Sequence, residues 1–154
     1  MIWFIIIAGI FTGELLLKNY IEKKLKEGEN KKLLNGRLLV RKHYNRGSAL
    51  NMGSGRQPLV AAVSLGMAVF CTVLFLASLG SKGGALLRAG LTLLLGGAYS
   101  NTYDRLKRKY VVDYFSFGVK WKRLQNIVFN ISDFCILIGA LLCILAMEKP
   151  PAIH

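Results

Sequence analysis

Histidine, cysteine and acidic residues are scarce in this chain, and each shortage removes a class of function. The two histidines, His43 and His154, have no His, Cys or carboxylate neighbours at ligand spacing, so no metal site is indicated. The three cysteines, Cys71, Cys135 and Cys143, all sit inside hydrophobic stretches. There a thiol acts as a small apolar side chain, and an odd number argues further against a disulfide framework. The N-terminus lacks a basic n-region and an A-x-A cleavage site, so it reads as an uncleaved first span. No internal repeat or low-complexity tract is present. Eight acids against 21 lysines and arginines leave a formal charge of +13.

What the chain has in abundance is apolar residues, 53% of the total, gathered in long blocks. The mean hydropathy is +0.41. Four blocks approach the roughly 20 residues needed to cross a bilayer. They predict spans at about 2–20, 58–79, 85–104 and 124–147. Little chain remains for a separate soluble domain. The expectation is one all-α membrane domain over 1–154, with four transmembrane helices and a small extended or β-hairpin segment between the first two.

That segment follows a polar continuation of the first helix to about Lys26, ended by Gly28. In KLLNGRLLVRKHYN, an Asn35-Gly36 pair between apolar runs predicts a hairpin turn. Gly47, Gly53, Gly55 and Pro58 punctuate the approach to the second span. The link at 81–84 is short enough only for a tight turn between antiparallel helices.

The positive charge falls in two segments, Lys18 to Arg56 and Arg105 to Arg123, which flank spans and lie on one side of the membrane. In that setting anionic lipid head groups, not nucleic acid, are the expected counter-charge, and the equal alternative is that these residues are topology anchors in solvated loops. The positive-inside tendency favours these loops in the cytoplasm with both termini outside.

Against this background two acids stand out. Asp133, in FNISD, opens a long hydrophobic run, where an unpaired carboxylate is expensive and is by default a functional group with a partner. Asp113, in VVDYF, is the natural partner, although alone it reads as surface decoration. Two converging carboxylates suggest a shared proton and an activated water, the chemistry of an aspartyl hydrolase. Asn101, Asp104 and Arg105 in NTYDRL have spacings that place them on one helix face, where they also read as an interfacial set closing the helix end. Asn130 and Asp133, three apart, repeat the pattern; a helix cap would explain the acid but not the asparagine. Glu14 and Lys18, four apart in the first span, read as a structural pair. Asn45, in HYNRGSALN, is a polar loop group.

These pieces, in this order, resemble signal peptidase II, the lipoprotein signal peptidase family. ELLLK at 14–18, NRGSAL at 45–50, GGAYSNTYDR at 96–105, VVDYF around Asp113 and FNISD ending at Asp133 parallel its motifs across the whole chain. The resemblance implies that Asp113 and Asp133 are a catalytic dyad. It implies that Asn45, Asn101, Arg105 and Asn130 bind substrate or organise the site, supported by Glu14, Lys18 and Asp104. It further implies cleavage of diacylglyceryl-modified prolipoproteins before the lipidated cysteine, without metal or organic cofactor. The enzyme would be a multi-pass monomer of the bacterial cytoplasmic membrane. Both termini would then be cytoplasmic, opposite to the charge rule, because a lipoprotein substrate is presented on the outer side.

The chain departs from the family pattern at several positions. Glu14 replaces Asp, Lys109 replaces Gly, Tyr114 replaces Phe and Ser132 replaces Ala, while Ser48 and Leu50 alter an A-A-F stretch. They mark a divergent branch. Two other readings compete: a non-catalytic relative binding lipidated or anionic membrane components through the basic loops, and a small proton-coupled carrier. The carrier predicts acids deep in the spans, whereas these lie at span ends.

Overall fold

The computed structural model describes residues 1–26, 28–47, 52–80 and 84–148. The expected turn at 81–84 lies mostly outside the described residues, as do Ser48, Leu50 and His154.

Four long helices and a small sheet make up the fold. Helix α1 spans Ile2–Lys24, α2 Gln57–Leu79, α3 Ala85–Lys107 and α5 Ile131–Met147; α4, Lys122–Gln125, is a single turn. Helix α1 continues beyond the apolar stretch, as expected, and stops just short of Lys26; Lys23 and Lys24 in its last turn complement the helix dipole. Pro58 stands in the first turn of α2, where its missing N–H has no intrahelical partner to lose.

Helix α3 is the centre of the bundle, packed against α1, α2 and α5. Its approach to α5 is closer than most side chains permit. A Cβ built on Gly90 would stand 2.8 Å from the Gly139 carbonyl oxygen, and one on Gly97 only 2.4 Å from that of Ser132. Small residues at such crossings let two backbones meet where apolar surface alone drives no association.

Among the described residues, α1 and α2 are long and apolar enough to cross a membrane. Helix α5 is apolar but 17 residues long. Helix α3 has 23 residues, yet Arg88, Asp104, Arg105 and Lys107 interrupt its apolar character. Its neighbours cover it, so its surface need not be uniformly apolar. The outer faces of α1, α2 and α5 by contrast expose Phe4, Ile5, Val63, Phe70, Leu137 and Leu141.

The predicted hairpin is present: β1 (Asn30–Leu33) pairs antiparallel with β2 (Leu38–Asn45) through a 3-10 turn at Leu34–Gly36. The sheet has a third strand that hydrophobic patterning did not separate from its loop. Strand β3, Val111–Phe117, pairs antiparallel with β2 and places His43 opposite Asp113. Val112 and Tyr114 from β3 join Ile21 of α1 and Leu25 just beyond it in a buried cluster under the sheet.

The expected fourth span, 124–147, is corrected at its start, because the helix begins only at Ile131. Just before it, Phe129 is extended and hydrogen-bonded to β3. Its N–H donates to the Phe115 carbonyl at 2.7 Å, and its carbonyl accepts from Tyr114 and Phe115 at 2.9 and 3.0 Å. Backbone pairing with a strand excludes helical pairing at the same groups.

Between α3 and β3 the chain turns at Lys109, whose φ of 69° lies in the left-handed region that favours glycine. Lys109→Gly is therefore expected to stabilise the fold by about 1 kcal/mol, raising the thermal midpoint in detergent by a few degrees. A lower midpoint would mean that the contact from Lys109 Nζ to the Leu106 carbonyl, 3.0 Å, outweighs the backbone term.

Candidate active site

Asp113 and Asp133 arrive from different elements, β3 and the first turn of α5, and Asn130 joins them. Its side-chain amide donates to Asp113 Oδ1 at 2.7 Å. Its Oδ1 accepts from the Asp133 N–H at 3.0 Å, and its own N–H donates to Asp133 Oδ2 at 3.0 Å. Asn130 is thus a helix cap in a reciprocal capping box. With its remaining donors it is also a bridge between the two carboxyls, which the capping interpretation alone left unexplained.

Each acid has a second amide donor. Asn45, at the end of β2, donates to Asp113 Oδ2 at 3.2 Å. Asn101 on α3 donates to Asp133 Oδ1 at 2.9 Å, and its own Oδ1 accepts from Lys18 Nζ at 2.8 Å. With a cation on its oxygen, the Asn101 amide can turn only its NH2 toward Asp133. Arg105, one turn on, donates to the backbone carbonyls of Asn101 at 3.4 Å and Gly47 at 3.2 Å. Asn45, Asn101, Arg105, Asp113 and Asp133 all line one cavity of about 470 Å³, closed on its apolar side by Ile127, Phe129, Ile136 and Leu137. A larger cavity of about 740 Å³, among α1, α2 and α3, is almost wholly apolar and holds no ionisable acid.

The structure divides the polar face expected on α3. Asn101 and Arg105 face the cavity, but Asp104 turns toward α1. It meets Lys18 Nζ at 3.1 Å and Arg108 Nε at 3.1 Å. Lys18 is fully buried and central: besides Asp104 and Asn101 it reaches Ser100 Oγ at 2.9 Å and Glu14 at 3.6 Å. Glu14 and Lys18 therefore pair as their spacing predicts, within a buried network beside the acids. A second ion network, Arg108 with Glu22 and Asn19, was not predicted from sequence. Tyr110 donates to Glu22 at 2.8 Å, and burial, followed by that hydrogen bond, pushes its phenol up to about 12.

Residues 6–149 match the family described as signal peptidase (SPase) II. The chain belongs to the signal peptidase II family. It is 33% identical over 141 residues to the lipoprotein signal peptidase of Lactobacillus johnsonii, covering 92% of this chain and 88% of that one. To the lipoprotein signal peptidase of a Nostoc species it is 32% identical over 156 residues, covering 100% and 94%. A bacterial membrane enzyme solved by the in meso method at 1.9 Å resolution shares the fold, with TM-score 0.80 and 23% identity over 96% of this chain and 92% of that one. Another, at 2.3 Å, gives TM-score 0.79 and 20% identity over 99% and 94%.

Within the signal peptidase II frame, three departures noted in the sequence meet at one point. Tyr114 Oη donates to Glu14 Oε1 at 2.5 Å, and Ser132 Oγ donates to Glu14 Oε2 at 2.8 Å. Sequence reasoning singled out each substitution but not their contact, since the three lie far apart in the chain.

Burial, then the charge of Asp133, pushes the Asp113 carboxyl up to about 7 against the hydrogen bonds from Asn130 and Asn45. The folded form therefore holds a proton that the unfolded chain releases near pH 4, so stability falls as pH rises between those values. The thermal midpoint of wild type is expected to drop from pH 5 to pH 8 relative to that of Asp113→Asn. A pH-independent difference between the two would refute the raised titration.

Proposed function

We propose that this protein is an aspartyl endopeptidase of the bacterial cytoplasmic membrane that removes the signal peptide from diacylglyceryl-modified prolipoproteins, cutting before the lipidated cysteine. The observation that carries the reading is Asn130, buried behind the cavity wall, tied to both Asp113 and Asp133, which line a mostly apolar cavity. Two carboxyls held together share one proton near neutral pH. Asp113 keeps that proton, and ionised Asp133, held by the Asn101 amide and the Asn130 N–H, takes a proton from water as it attacks the scissile carbonyl. The Asp113 proton passes to the developing oxyanion and then to the leaving amine. Asn45 and Arg105 are positioned to hold peptide carbonyls.

The apolar wall suits the lipidated end of the substrate, with the acyl chains running into the bilayer. The substrate class accords with the names carried by the relatives. In this reading α1, α2, α3 and α5 all cross the membrane as one domain. Helix α5 covers about 25 Å, and the extended residues before it supply the rest. The dyad and the basic loops face outward against anionic head groups, with both termini in the cytoplasm and the chain acting as a monomer.

The test is cleavage of a diacylglyceryl-cysteine peptide by purified protein in lipid, with the cut located by mass spectrometry. A single cut immediately before the cysteine supports the proposal. No cut across several peptide sequences and acyl forms would sink it and leave lipid binding as the better account.

A further inference from the structure

The carboxylate of Glu14 holds a chain neighbour of Asp113 and a chain neighbour of Asp133. Tyr114 follows Asp113 on β3, and Ser132 precedes Asp133 on α5. Glu14 Oε1 accepts from Tyr114 Oη at 2.5 Å, while Oε2 accepts from Ser132 Oγ at 2.8 Å and from the Ser132 N–H at 3.2 Å. Tyr114 Oη in turn accepts from the Ile131 N–H at 3.0 Å, closing a loop from β3 to α5. Glu14, Tyr114 and Ser132 are 3%, 5% and 0% exposed, and none lines the cavity that holds the acids.

Strand geometry gives this contact a consequence. Successive side chains on a strand point to opposite faces, so anchoring Tyr114 on one face aims Asp113 from the other. On α5 the Ser132 anchor sets the rotation of the first turn, and with it the direction of Asp133. We propose that Glu14, Tyr114 and Ser132 form a positioning clamp that fixes the separation and aim of Asp113 and Asp133. The clamp rests on the proposed protease reading, in which that separation governs the chemical step and not substrate affinity. Burial, with the hydrogen bond to Glu14 and its charge, holds the Tyr114 phenol far above its ordinary range. Tyr114 therefore stays a donor wherever cleavage can be measured.

The test compares wild type with Glu14→Asp, Tyr114→Phe, Ser132→Ala and the triple variant, all checked for thermal midpoint. A carboxylate one methylene shorter cannot reach both hydroxyls. Glu14→Asp is expected to lower kcat about ten- to hundredfold, with KM changed by no more than about twofold. The two hydroxyl deletions lower kcat in the same way. The triple variant should be no worse than Glu14→Asp, because every change breaks the same bridge. Losses that multiply, or that fall on KM, overturn the clamp. Ser132→Ala removes a single hydroxyl and keeps the test open if Glu14→Asp folds poorly.

A second readout does not depend on turnover: the protonation midpoint of Asp113, followed through its infrared carbonyl band with Asp113→Asn as the blank. The charged or titratable groups around Asp113 are Asp133 on α5, Lys18 on α1, Arg105 on α3 and His43 across the strand pair. Of these, the clamp controls the distance to Asp133. Glu14 also pairs with Lys18 at 3.6 Å, so Tyr114→Phe and Ser132→Ala, which leave that pair intact, must move the midpoint the same way. Glu14→Asp should lower the midpoint by about half a unit as the carboxyls separate. An unmoved midpoint overturns the clamp even if no peptide is cut. A moved midpoint in a protein that cuts nothing sinks the protease reading and leaves the clamp standing.

Discussion

Asp113→Asn and Asp133→Asn should each reduce prolipopeptide cleavage by about a thousandfold or more, with little change in folding. Each substitution keeps side-chain shape but removes either the proton donor or the proton acceptor of the proposed mechanism. The two losses should not multiply if, as proposed, the carboxyls act through one shared proton. Single-turnover cleavage of a diacylglyceryl-cysteine peptide by each variant, and by the double variant, measures this. If either variant retains more than a tenth of the wild-type rate, the dyad is not the catalytic centre. The same assay at rising pH should show activity falling above about 7, where Asp113 loses its proton. A rate that instead climbs through that range would assign the essential group elsewhere.

Lys18→Met carries the largest expected effect on stability. The ammonium group is fully buried and lies between two acids that are themselves buried, Glu14 and Asp104. Replacing it with an apolar chain of similar length leaves both carboxylates without their shared cation in a medium that solvates them poorly. Breaking a buried ion pair from one side costs about 3–5 kcal/mol, or roughly 10 °C in thermal midpoint for a chain of this size. Adding Asp104→Asn should recover part of the loss, since one of the stranded charges is then gone. A midpoint within 2 °C of wild type, read by fluorescence in the same detergent, would mean that water or lipid head groups reach this network.

The polar residues that the fold gathers around Asp113 and Asp133 stood out in the sequence because carboxylates and amides beside hydrophobic runs are costly and rare. Asp133 and Asn130 drew attention for that reason, and Glu14 with Lys18 through helical spacing. Asp113 was harder. It lies in a strand whose partner, β2, comes some seventy residues earlier, so local patterning presented it as part of a loop. Spacing put Asn101, Asp104 and Arg105 on one helix face, which the structure divides. Asp104 belongs to the Lys18 network, while its neighbours line the cavity. The start of α5 was misplaced because 127–130 is apolar enough to continue a helix; hydrogen bonds to β3 draw its backbone away.

By itself, the sequence determined the apolar class of the chain, the hairpin turn at Asn35-Gly36, and the identity of the polar groups that need partners. Hydropathy, turn chemistry and the expense of buried charge are local properties, so they can be read locally. Only the tertiary structure decided which of those groups meet. It bridged Asp113 to Asp133 through Asn130, gave Lys18 its place between Glu14 and Asp104, and brought Tyr114 and Ser132 onto a single carboxylate. The contacts of Asp113 with Asn130, Lys18 with Asp104, and Glu14 with Tyr114 and Ser132 join residues 17 to 118 positions apart. They depend on how helices cross and strands register, which no window of sequence contains.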